Sequence, residues 1–67
     1  MPSISIVVPV LDEAPTIAST LAALQRARRE GAEILVVDGG SRDATRAIAT
    51  PLADRVLQAP RGRATHF

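Results

Sequence analysis

Apolar and polar positions change period several times along the 67-residue chain, and those changes mark its elements. Ile4-Ser5-Ile6-Val7-Val8-Pro9-Val10 is β-branched almost throughout and too short for a buried helix, which predicts a strand buried on both faces. Pro9 cannot donate to a ladder, but near the strand end it costs little. From Pro15 the spacing becomes helical. Ile17, Leu21 and Leu24 fall at i, i+4 and i+7, Ala18 and Ala22 widen the stripe, and Arg26, Arg28 and Arg29 load the last turn, where the helix dipole favours cations. Gly31 is placed to close this helix of about 15 residues. Glu33 to Asp38 then predict a second buried strand around Ile34-Leu35-Val36-Val37. Ser41 is expected to cap a second helix through Ala44, Ala47 and Ile48, with Asp43 in its first turn, and Thr50-Pro51 to end it. Pro51 to Asp54 reads as a turn and Arg55-Val56-Leu57 as a short third strand, before Pro60-Arg61-Gly62-Arg63 breaks the pattern.

Strand, helix and strand in this order make a right-handed unit with parallel strands, so the expected fold is α/β, one continuous parallel β-α-β-α-β domain over residues 1–67. A chain this short buries only about 60% of the surface it exposes when unfolded. With no Cys, neither a disulfide nor a thiolate metal site supplements the core. Strands apolar on both faces need a helical layer on each, and two helices cannot supply both. Some apolar sheet surface is therefore expected to stay uncovered, which predicts marginal stability or self-association and an incomplete domain.

Charge excludes more than it assigns. The formal net charge is +1, and all eight basic residues are Arg, spread without a cluster. Together with a single Phe and no Tyr or Trp, this argues against a nucleic-acid partner. No apolar stretch approaches the roughly 20 residues of a membrane span. The first strand has no basic residue ahead of it and no small-residue cleavage site behind it, as a signal peptide would, so a cytoplasmic location is expected.

Candidate chemistry sits where the strands end. In a parallel sheet all C-terminal strand ends share one edge, which brings Asp12 and Glu13, Asp38 with Gly39 and Gly40, and Arg61 with Arg63 to a common rim. Carboxylates can accept from a base or from ribose hydroxyls, an Arg fork suits phosphate oxygens, and glycines let a ligand approach the backbone. A helix beginning at Ser41 would aim its free N–H groups at the same rim. The combination suits a nucleoside diphosphate. Asp38 looks better placed to serve a ligand than packing, and Asp43 better placed to start a helix. Each residue also has a plainer role: Glu13 as a helix-entry charge, Asp38 as a turn former, Arg61 and Arg63 as solvated loop charges, His66 as uninvolved. Neither a G-x-G-x-x-G after the first strand nor a Gly-rich loop ending in Lys is present.

Ile6-Val7-Val8-Pro9-Val10-Leu11-Asp12-Glu13, followed by Ile34 to Thr45 with Val36-Val37-Asp38-Gly39-Gly40-Ser41-Arg42-Asp43, resembles the opening of family 2 glycosyltransferases with the GT-A fold. Pro60-Arg61-Gly62-Arg63-Ala64 is similar to the Arg-containing loop after that family's third strand, and the Asp-Gly-Gly-Ser-Arg-Asp form is similar to its bacterial selenium-domain/radical-SAM-associated subgroup. The resemblance implies the N-terminal, nucleotide-binding part of an enzyme that transfers a sugar from a nucleoside-diphosphate sugar to an unknown acceptor, with Mg²⁺ or Mn²⁺ on the diphosphate. It implies that Pro9 and Glu13 border the nucleoside pocket, that Asp38 binds the base with Gly39 beside it, and that Arg61 or Arg63 approaches the diphosphate. Asp12 stands where the family usually has Asn, and the family's Asp-x-Asp metal motif and catalytic base are absent from the chain. Turnover by the chain alone is therefore not expected.

Three alternatives stand beside this reading. A noncatalytic α/β interaction module would use the uncovered sheet face. A response-regulator receiver would place its acceptor Asp after the third strand and needs a Lys that the chain lacks. A nucleotidyltransferase would need a Gly-rich basic loop after the first strand, and Leu11 to Thr16 have neither feature.

Overall fold

The computed structural model describes residues 4–59. Strand β1 (Ser5–Val10) leads through helix α1 (Ala14–Ala22) and helix α2 (Gln25–Arg29) to β2 (Glu33–Asp38). Helix α3 (Thr45–Ala49) and a 3₁₀ turn (Thr50–Leu52) then lead to β3 (Arg55–Gln58). The strands form one parallel sheet in the order β1-β2-β3. Val10, Asp38 and Gln58 are in register at its C-terminal edge. The parallel α/β architecture expected from the strand–helix–strand spacing is present.

Where the helical stretch was expected to run unbroken from Pro15, it divides at Ala23-Leu24. The Leu21 carbonyl accepts the Leu24 N–H at 3.0 Å and the Gln25 side-chain amide at 2.9 Å. The ladder tightens to a three-residue step there, and the side chain of Gln25 takes a carbonyl that its own backbone N–H would otherwise use. The same amide reaches the Leu52 carbonyl at 2.8 Å, tying α1 to the 3₁₀ turn. Helix α2 closes as Gly31 predicts. Gly31 has φ +110°, and the N–H groups of Gly31 and Ala32 bond back to Arg28 and Ala27, the Schellman pattern that a left-handed C′ glycine permits.

Both crossovers advance the sheet in the same direction, and right-handed crossovers that do so put their helices on the same face. The core is accordingly one-sided. Val10, Ile17, Leu21, Ile34, Val36, Ala49 and Ala53 are buried together, with Ile6, Val8, Leu24, Ile48, Leu52 and Val56 packed against them. The strand members of this core, Ile6, Val8, Val10, Ile34, Val36 and Val56, all stand at even-numbered positions, matching the period of two. The odd positions face the other way: Val7 is 57% exposed, Leu57 is 39% exposed, Pro9 is exposed, and Leu35 and Val37 are half-buried. Burial of β1 and β2 on both faces is thus corrected. The predicted shortage of cover falls entirely on one face.

Two helix faces also differ from expectation. Ile17 and Leu21 are fully buried as the i, i+4 spacing requires, but Ala18 and Ala22 are exposed. On α3 the buried residues are Thr45 and Ala49, with Ile48 half-buried, whereas Ala44 and Ala47 are exposed. Asp54, read from the sequence only as part of a turn, fixes where β3 begins. Its carboxylate accepts the Ile34 N–H at 2.7 Å and Arg28 Nε at 3.2 Å, while its own N–H donates to the Ile34 carbonyl.

Candidate functional site

The register puts Val10 beside Asp38, so the segments that follow β1 and β2 leave the same edge of the sheet as neighbours. The Gly39 N–H donates to the Val10 carbonyl at 2.9 Å, extending the pairing one residue past the strands. Glu13, Asp38 and Gly39 therefore share the C-terminal rim, as the parallel order requires, with Pro9 one residue inside it on β1. Arg61 and Arg63 lie outside the described residues.

Asp38 is fully buried. One carboxylate oxygen accepts the Gly40 N–H at 3.1 Å and the Ser41 N–H at 2.9 Å, and the other accepts the Ser41 hydroxyl. Arg46, half exposed on α3, brings its Nε within 3.6 Å of the same carboxylate and donates from Nη1 to Gln58 Oε1 at 3.1 Å. Burial pushes the Asp38 carboxyl up, but the Ser41 hydroxyl, the Ser41 and Gly40 amides and the Arg46 guanidinium together hold it below its ordinary value. The expectation that Asp38 does little for packing is corrected: its acceptors are occupied by its own loop.

The helix-entry reading also changes. Helix α3 begins at Thr45, so Ser41 does not cap it. Asp43 starts it instead, one carboxylate oxygen accepting both the Thr45 N–H at 2.9 Å and the Thr45 hydroxyl. The Thr45 hydroxyl, the Thr45 and Ala14 amides and its own backbone N–H hold Asp43 below its ordinary value, against a smaller opposing effect of burial. Free helix-start N–H groups were expected at the rim, yet Gly40 and Ser41 donate to Asp38, Arg42 to Asp12 and Thr45 to Asp43. At the start of α1, Ala14 donates to Asp43, Pro15 has no N–H, and Thr16 and Ile17 donate to the Glu13 carbonyl. The α1 entry amides, and the Thr45 N–H at the start of α3, are thus spent within the protein.

The turn after β1 is tied to the loop after β2 residue by residue. The consecutive N–H groups of Asp12, Glu13 and Ala14 donate to Ser41 Oγ at 2.8 Å, Thr45 Oγ1 at 2.8 Å and Asp43 Oδ2 at 3.1 Å. In return the Arg42 N–H donates to Asp12 Oδ1 at 2.7 Å. Asp12 holds φ +50°, a left-handed conformation that Asp tolerates better than most residues. Asp lacks the amide donors of the Asn that usually stands at this position in the family. Asp12 uses its side chain there only as an acceptor.

The two glycines after Asp38 differ in kind. Gly40 has φ +111°, which excludes most other residues, whereas a Cβ on Gly39 would make only ordinary contact, 3.5 Å from the Val10 carbonyl oxygen. Neither backbone conformation nor close packing demands glycine at position 39. The residues that sequence reasoning missed are Thr45 and Arg46. The alternation Ser41-x-Asp43-x-Thr45 is the signal that could have found the first, since side chains of this kind satisfy nearby backbone amides in turns.

Among the described residues no three His, Asp or Glu side chains gather as metal ligands. The carboxylates of Asp12, Asp38 and Asp43 already accept from amides or hydroxyls. A groove of about 230 Å³ lined by Ile4, Ile6, Ala27, Glu30, Gly31 and Ala32 lies at the opposite, N-terminal end of the sheet.

A parallel sheet with acids and glycines at its C-terminal edge is a site architecture, and folds of this kind host many activities. A family model described as glycosyl transferase family 2 matches residues 5–66. The chain belongs to that family. Its three parallel strands and their helices fit the N-terminal part of the family's GT-A fold. No curated protein and no solved structure matches the chain. Family membership supports a glycosyltransferase, and no helix among the described residues is long and apolar enough to cross a membrane.

Proposed function

We propose that this chain carries the nucleotide-binding part of a transferase that moves a sugar from a nucleoside-diphosphate sugar to an acceptor. The single observation that carries the reading is the register of β1 and β2 in a family 2 glycosyltransferase, which sets Glu13, Asp38 and Gly39 on one rim. In this reading Pro9 and Glu13 border the nucleoside, Gly39 lets it approach the backbone, and Asp38 shapes the loop beneath the base while its charge stays in place at neutral pH. Arg61 and Arg63 meet the diphosphate, a role that suits a site whose α1 amides are already occupied. The Asp-Gly-Gly-Ser-Arg-Asp segment supports assignment to the selenium-domain/radical-SAM-associated subgroup.

Calorimetric titration of the chain with UDP, GDP, CDP and ADP, with and without Mg²⁺, tests the reading. Saturable binding that prefers one base and weakens in Glu13→Gln and in Arg61→Ala supports it. Equal, unsaturable heats for all four nucleotides overturn it.

A second reading is favoured by the bare sheet face, where Val7, Leu35, Val37 and Leu57 form an uncovered apolar strip. In that reading the chain is a noncatalytic interaction module, or it self-associates through this face, and it binds no nucleotide.

A further inference from the structure

We propose that Ser41, Asp43 and Thr45 are positioning residues, which hold the β1–α1 turn in its ligand-competent form through its backbone and do not themselves touch the ligand. This inference rests on the reading of the rim as a nucleoside diphosphate site.

Three consecutive amides, those of Asp12, Glu13 and Ala14, end on three side chains of one short segment that is 29 to 32 residues away in sequence. Local turn chemistry does not supply these bonds, because the three amides precede the N2 and N3 positions that a helix cap side chain serves. Helix α1 has no side-chain cap of its own, so its entry depends on the neighbouring loop.

Both hydroxyls are oriented by a carboxylate. The Ser41 hydroxyl donates to Asp38 and accepts from the Asp12 N–H; the Thr45 hydroxyl donates to Asp43 and accepts from the Glu13 N–H. With each proton committed to an acid, the hydroxyl oxygen is left to receive the amide, and successive bonds polarise one another. Asp12 at φ +50° is the residue that such a framework has to hold, since an isolated turn would relax from the left-handed region. Glu13 is the next residue, and among the described residues no donor pairs with its carboxylate, which is left for a ligand. Loss of the framework would let the turn sample other conformations, and apparent affinity would fall by the fraction of molecules that leave the competent one.

The test compares Ser41→Ala, Thr45→Val and Thr45→Ser in the full chain. Thr45→Val keeps the buried shape and removes only the hydroxyl; Ser41 is half-buried, so Ser41→Ala disturbs packing less and stands in if Thr45→Val fails to fold. Amide hydrogen exchange is read by NMR at Asp12, Glu13 and Ala14, with Val36 in the buried strand as reference, and affinity by titration with the nucleoside diphosphate that the unsubstituted chain prefers.

Thr45→Val is expected to speed exchange at Glu13, and Ser41→Ala at Asp12, by about five- to tenfold at unchanged Val36 protection, the scale of one lost hydrogen bond. Each should weaken the nucleotide by about three- to tenfold, and Thr45→Ser should restore both readouts. Unchanged exchange in the variants overturns the inference, as does faster exchange with full affinity, or a Thr45→Ser as weak as Thr45→Val. Failure of the unsubstituted chain to bind any of the four nucleotides overturns the site reading and the inference with it; the other three outcomes overturn the inference alone.

Discussion

Replacing Asp38 with Ala separates the two roles that this residue can have. The substitution removes the acceptor of three donors at once: the Gly40 N–H, the Ser41 N–H and the Ser41 hydroxyl. A buried donor left without a partner costs about 1–3 kcal/mol. Gly40 and Ser41 are half-buried, so water reaches part of what is lost and the lower end applies, giving about 3 kcal/mol in all. Arg46 is half exposed and rehydrates, so it adds little. A chain of this length has roughly 3–10 kcal/mol of stability to lose. Asp38→Ala should therefore approach the limit of folding, with a melting temperature lower by about 12–24 °C. Asp38→Asn keeps one carbonyl oxygen for the two amides and should cost about 1 kcal/mol. Urea unfolding followed by far-UV circular dichroism measures both. An Asp38→Ala variant within about 0.5 kcal/mol of the parent would refute the view that this carboxylate holds the loop together.

Three further outcomes are expected. Asp38 and Asp43 titrate below their ordinary value of 3.8 in the folded protein, so their contribution is complete above that pH and is lost as pH falls through the lower folded values; melting temperature should be level from neutrality to about pH 5, then fall, with a shallower fall in Asp38→Asn. Gly39→Ala should melt with the parent yet bind the preferred nucleotide less tightly, whereas Gly40→Ala, at φ +111°, should lose about 1 kcal/mol or more of stability; the reverse pattern would remove the ligand role from Gly39. If the bare face drives self-association, Val7→Lys, at a position 57% exposed, should shift sedimentation toward monomer and remove any concentration dependence of the melting temperature, and an unsubstituted chain already monomeric at high concentration would contradict that contact.

The strand at Glu33 to Asp38, the close of α2 at Gly31 and the parallel order were all legible in the sequence, because each depends on a local period or on one residue's backbone freedom. So was the meeting of Glu13 and Asp38 at one edge, since parallel strands leave no other arrangement. The sequence by itself could not say which sheet face would be bare. An apolar strand looks the same from both sides until the hand of two successive crossovers puts the helices of the described residues on one of them. Nor could it say that Asp38 is buried and occupied, that Asp43 serves two helices, or that Thr45 receives the Glu13 amide. The Glu13–Thr45 and Ala14–Asp43 bonds join residues about 30 positions apart, and their partners become neighbours only when Val10 pairs with Asp38, a register that long-range packing sets and no local pattern records.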